Sequence, residues 1–199
     1  MEHVNLLLGG VMGLKSDRWI RKQADKNGMI EPFEGGVIRH NQQGSILSYG
    51  ISSYGYDIRC ANKFKVFNNL SARILDPKSF DADGFVDVQA EHCVIPPGGF
   101  ILAHSVEYFR IPEDVLGLVV GKTTYARCGL SIQTSPLEPG WQGNVTLSIA
   151  NVSPLPVKVY ANEGIAQVLF FQGDEASVTN YTNRRGRYQG QRGLALPKV

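Results

Sequence analysis

A charge imbalance is missing from this chain: 20 Lys and Arg against 18 Asp and Glu leave a formal net charge of +2 over 199 residues. A dedicated nucleic-acid binder needs a strong basic excess for its phosphate contacts, so nucleic acid is set aside as a partner. Paired cysteines are missing too. Cys60, Cys93 and Cys128 are an odd number, and no C-x-x-C occurs. That excludes a disulfide framework or a zinc-thiolate cluster as the organising feature and fits reduced thiols in a cytoplasmic protein. The histidines, His3, His40, His92 and His104, are scattered, and no H-x-E precedes a P-C-x-x-C. The zinc-dependent way of deaminating a base therefore has no signature here. The apolar stretch 4–14 is broken by Gly9, Gly10 and Gly13 and lacks a preceding basic patch. It is too short to span a bilayer and reads as neither a signal nor a membrane segment. Residues 1–11 read as an extension, floppy or adding a short strand. Residues 12–199 read as a single domain, with 43% hydrophobic residues in the chain to build its core.

What is present is mostly strand. One helix is expected early: Ser16 in capping position, Asp17 at the positive end, Trp19, Ile20 and Ala24 on one face, and Asn27-Gly28 as the stop. After Pro32, glycines and prolines cut the chain into short apolar or alternating runs, the texture of an all-β barrel or sandwich. The expected strands cover 46–49, 63–67, 85–88, 100–103, 115–120, 145–149, 157–160 and 165–171.

Two stretches carry the chemistry. In 121–151, GKTTYARCGLSIQTSPLEPGWQGNVTLSIAN, a turn offers Lys122, Thr123, Thr124 and Arg127, a set of cations and hydroxyls suited to phosphate oxygens. The P-loop spacing is absent, so the turn alone reads either as a phosphate site or as an ordinary exposed loop. From Ser177 onward there is no acid, while Arg184, Arg185, Arg187, Arg192 and Lys198 alternate with glycines, Tyr181 and Tyr188. That tail reads as a solvated basic end, an RNA-binding segment, or a mobile lid over an anion spanning 176–199. Gln167, the one amide in the run IAQVLFF, is costly to bury unless paired, by the core or by a base edge.

Together, the segments SYGYDIRC (53–60), GKTTYARCGL (121–130), LEPGWQG (137–143), NEGIAQVLFF (162–171) and RYQGQRG (187–193) resemble the dCTP deaminase family, which shares its fold with trimeric dUTPases. The resemblance runs from about residue 12 to the C terminus. It implies a mainly β, dUTPase-like distorted barrel or jelly roll, assembled as a homotrimer with active sites shared between neighbouring chains. It also implies dCTP or dUTP as substrate, dTTP as a candidate inhibitor, and Mg²⁺ carried mainly on the triphosphate. Carried onto this chain, the substrate loop is Lys122, Thr123, Thr124, Tyr125, Ala126 and Arg127. Glu138 falls near the sugar and the attacked phosphate, and Asp57 lies where dUTPases use a carboxylate to hold hydrated Mg²⁺. Gln167, Tyr181, Arg187 and Gln191 complete the base and triphosphate contacts.

One position departs from that pattern. In 144–151, Val145, Leu147 and Ile149 alternate with Thr146, Ser148 and Ala150, so the second set faces a pocket or a subunit contact if the first faces the core. Deaminases of the resembling family carry a glutamate where this chain has Ser148, and losing a positioned general base typically costs on the order of 10²–10⁴ in rate. Cleavage of dCTP or dUTP to the monophosphate and pyrophosphate asks less of that position, so a hydrolase using Glu138 and Asp57 is the expectation. The alternatives are a dCTP deaminase with a displaced base and a catalytically inactive nucleotide-binding regulator.

Overall fold

The computed structural model describes residues 13–42, 44–68 and 74–198; the expected 1–11 extension lies outside them. The elements in chain order are β1 (Gly13–Leu14), α1 (Asp17–Asn27), β2 (Ile30–Glu31), β3 (Val37–Asn41), β4 (Gly44–Ser52), β5 (Gly55–Arg59), β6 (Lys63–Phe67), β7 (Phe85–Gln89), β8 (His92–Ile95), β9 (Phe100–Arg110), β10 (Val115–Gly121), α2 (Thr123–Arg127), β11 (Leu130–Gln133), β12 (Gln142–Asn151), β13 (Val157–Tyr160) and β14 (Gly164–Gln172). One antiparallel sheet runs β1-β14-β5-β4-β3, with β10 also on β14. A second runs β11-β12-β9-β6-β7, with β2 on β9, and β13 pairs β8. The architecture is the mainly β one that the strand texture implies, two antiparallel sheets around a shared core. Among the described residues no helix is long and apolar enough to cross a membrane.

Helix α1 turns Ile20 and Ala24 inward and stops at Gly28, whose left-handed backbone (φ 60°) lets its N–H reach Ala24 O at 3.0 Å and the next N–H, that of Met29, reach Gln23 O at 3.3 Å. Ser16 sits at the N-cap without a side-chain cap bond. In β12 the alternation holds: Val145, Leu147 and Ile149 are buried in the core shared by both sheets, and Thr146, Ser148 and Ala150 are half-exposed on the other face. β9 runs well past the expected 100–103, and its inward set explains why. Ile101, Ala103, Ser105, Glu107 and Phe109 are all fully buried, so polar residues interrupt the apolar pattern exactly where the strand continues inside.

Glu107 is held by Arg59, whose backbone N–H and Nε donate to the two carboxylate oxygens at 2.9 and 2.8 Å. The guanidinium also lies over the Tyr49 ring. Burial pushes the Glu107 carboxyl up, against the pull of Arg59. Removing one partner of a buried pair leaves an uncompensated charge, so Arg59→Leu is expected to cost about 3 to 5 kcal/mol in urea unfolding. A loss below about 1 kcal/mol would place the pair among those of surface strength.

Candidate active site

The outward face of β12 forms the floor of a cavity of about 660 Å³. Ser148 is paired in register with Gln133 of β11 and Leu102 of β9, which fixes its direction, and Thr146 stands two residues away on the same face. The wall opposite comes from the segment 134–138. Its residue Glu138 opens a tight turn in which Trp141 N donates to Glu138 O at 3.0 Å, with Pro139 and then Gly140, at φ 77°, between them. Proline followed by a residue of positive φ is the sequence of a type II turn, and the glycine is required there. Reciprocal backbone bonds between Leu137 and Gly117, 2.8 and 2.7 Å, anchor the loop to β10. Among the described residues Glu138 is the only acidic one lining the cavity, and its carboxylate is ion-paired with Arg184, which in turn stacks on Tyr181.

The basic tail is docked over this cavity. Asn144 N donates to Gln191 O at 3.1 Å, and Gln191 Nε2 returns to Asn144 O and to Thr146 Oγ1. Gly193 N reaches Asn144 Oδ1 and Ala195 N reaches Thr146 Oγ1. Trp141 Nε1 donates to Tyr188 O, and Tyr188 N donates to the Tyr181 hydroxyl. The tail folds back on itself this tightly because Gly186 has no side chain: a Cβ there would run into the Tyr181 ring. Tyr181, Tyr188, Gln191, Ala195 and Pro197 all line the enclosure.

Of the residues expected at the site, Glu138, Thr146, Ser148, Tyr181 and Gln191 meet in this one cavity. The others do not line it. Asp57 is on β5, where Lys122 Nζ lies 2.5 Å from Oδ2 and Gln167 Nε2 donates to Oδ1 at 3.0 Å and to Ser52 Oγ at 2.9 Å. Each oxygen of Asp57 thus accepts one hydrogen bond, from Lys122 and from Gln167. Among the described residues no group of three or more His, Cys, Asp or Glu is placed to hold a metal ion. Thr123, Thr124, Ala126 and Arg127 are exposed on α2, a helix where the sequence suggested a turn. Tyr125 is a core residue: it is buried, its hydroxyl accepts from Tyr160 N at 3.0 Å, and burial pushes its pKa up. Arg187 is exposed and donates to Lys198 O. Sequence reading missed Trp141 and Tyr188 as wall residues, although the first lies inside LEPGWQG and the second inside the basic tail; Gln133 and Thr134 carry no signal that would have marked them.

Residues 14–173 match the family described as dCTP deaminase-like. A protein of Methylococcus capsulatus named dCTP deaminase is 58% identical over 94% of this chain and 100% of its own length. One of Legionella pneumophila with the same name is 54% identical over the same shares. The solved structure of a 2′-deoxycytidine 5′-triphosphate deaminase from Agrobacterium tumefaciens superposes with a TM-score of 0.63 at 15% identity, covering 81% of this chain and 48% of that one, which is a likeness of fold. These relatives overturn the expectation of a hydrolase that splits dCTP or dUTP into monophosphate and pyrophosphate, and favour its deaminase alternative. Asp57 and Lys122 pair with each other away from the cavity, which Glu138 lines together with Ser148.

Proposed function

Because this chain belongs to the dCTP deaminase-like family, we propose that it binds dCTP and converts it to dUTP with release of ammonia. The observation that carries the reading is that Glu138, the one acid lining the cavity among the described residues, shares that cavity with Ser148. A serine hydroxyl has no capacity to hold an extra proton near neutral pH without a partner base, so the proton-handling falls to Glu138. Water bonds through oxygen to C4 of the cytosine while one of its protons passes by way of the Glu138 carboxylate to ring N3; its second proton passes through the same carboxylate to the departing amine, and the C4–N bond breaks to release ammonia and leave the uracil carbonyl beside a protonated N3. The docked tail excludes bulk water from that exchange.

The substrate is dCTP with Mg²⁺ carried on its phosphates. Arg184, exposed on the tail and stacked on Tyr181, leaves Glu138 for the triphosphate when the nucleotide enters. Lys122 to Arg127 lie away from the cavity of their own chain, which supports a homotrimer in which this loop meets the cavity of a neighbouring copy. Arg127→Ala is then expected to raise the KM for dCTP at least about tenfold, because a charge-assisted clamp is lost. An unchanged KM would remove α2 from the phosphate site. The reading itself is tested by incubating the protein with dCTP and Mg²⁺. Equimolar dUTP and ammonia are expected; dCTP that is bound but recovered intact, as an inactive regulator would leave it, contradicts the proposal.

A further inference from the structure

We propose that the outer side of the docked tail holds a second site, one for a phosphate-bearing anion. A separate cavity of about 530 Å³ is lined by Lys63 and Lys65 of β6, Asp87, His104 of β9, and Arg192 with its neighbours in the tail. Lys65 is neutralised by Asp87 at 2.6 Å. Lys63 and Arg192 make no ion pair among the described residues, so two uncompensated cations converge on the cavity. Arg192 is not a freely waving surface charge: its guanidinium is stacked over the Tyr108 ring, 4.1 Å from the centroid.

His104 completes the set. Its Nδ1 donates to Ser105 O at 2.9 Å, which leaves Nε2 as the open ring nitrogen, on the side where the backbone of Gly193 passes. Burial holds the ring below its ordinary pKa, and the charge of Lys63 adds to that lowering. An anion bridging Lys63 and Arg192 supplies the missing counter-charge and, with His104 protonated, gains a third donor. The site also has a mechanical consequence. Gln191, Ala195 and Pro197 line the inner cavity while Arg192, Gly193 and Leu194 line the outer one. A bridging anion therefore ties the tail to β6 and favours its closed position over the inner cavity.

The test follows the His104 ring by NMR in the full-length protein during titration with inorganic phosphate, and separately with dUMP. A saturable shift and a raised His104 pKa are expected with at least one of them. Orthophosphate acting alone identifies a free-phosphate site, and dUMP binding about tenfold more tightly identifies a nucleotide phosphate as the natural occupant. Lys63→Gln is expected to weaken the response about tenfold while leaving dCTP turnover in phosphate-free buffer unchanged. No response of His104 to either probe, or equal affinities in Lys63→Gln and the parent, overturns the proposal. Neither outcome depends on whether the inner cavity deaminates dCTP.

Discussion

Glu138→Gln is expected to lower ammonia release from dCTP by about 10²–10⁴, the range lost when a positioned general base is removed. The amide keeps the size and the turn, since Pro139-Gly140 and the backbone bond from Trp141 N to Glu138 O set the local geometry, so dCTP affinity should stay within a few-fold. The effect therefore belongs in kcat. Freeing Arg184 from its ion pair adds a cation for the triphosphate, which makes a loss of binding still less expected. A variant that deaminates at the parent rate would show that another group handles the proton, and circular dichroism of the same sample would confirm that the fold is intact.

Ser148→Glu carries the opposite sign. The position lies on the floor of the cavity, flanked in register by Leu102 and Gln133, and the cavity of about 660 Å³ has room for one more methylene and a carboxylate in place of the hydroxyl. A second base on the floor is expected to raise kcat by about 10². It should also make Glu138 partly dispensable: in the Ser148→Glu background the Glu138→Gln loss shrinks to about tenfold or less, a coupling that a double-mutant cycle reads directly. Equal losses in both backgrounds would mean that the two positions act on different steps.

The parts of the fold that were legible share a property: their inward residues are apolar and their spacing is regular. β12 announces itself through Val145, Leu147 and Ile149, and α1 through Ile20, Ala24 and the Gly28 stop. β9 was legible only in its first residues because Ser105 and Glu107 take inward positions, satisfied by partners far away in sequence: Arg59 for Glu107, and Val145 N for the Ser105 hydroxyl. β5 was read as a motif and not as a strand for the same reason, since Asp57 and Arg59 belong to hydrogen-bonded clusters that no local pattern reveals. α2 is five residues long and begins with two β-branched threonines, so neither length nor propensity gave it away.

The site divides along similar lines. Glu138 and Ser148 are ten positions apart, joined by one turn and one strand, and chain proximity brings them together. Lys122 to Arg127 follow β10, which belongs with β14 and β5 in the other sheet, and only a second copy of the chain returns them to the pocket in the proposed assembly. The hydrolase expectation came from weighing the serine at position 148 together with the carboxylates of Glu138 and Asp57 and the loop and tail cations that remain. A carboxylate absent from a strand says little when a neighbouring turn carries another into the same enclosure.

Turnover of dCTP in water enriched in oxygen-18 tests the central claim most directly, because the label records which atom the water attacks. Attack at C4 places the heavy oxygen in the uracil carbonyl of dUTP and leaves all three phosphates unlabelled, and that is the result expected here. Label found in a phosphate, with the cytosine amine still attached, would contradict the account.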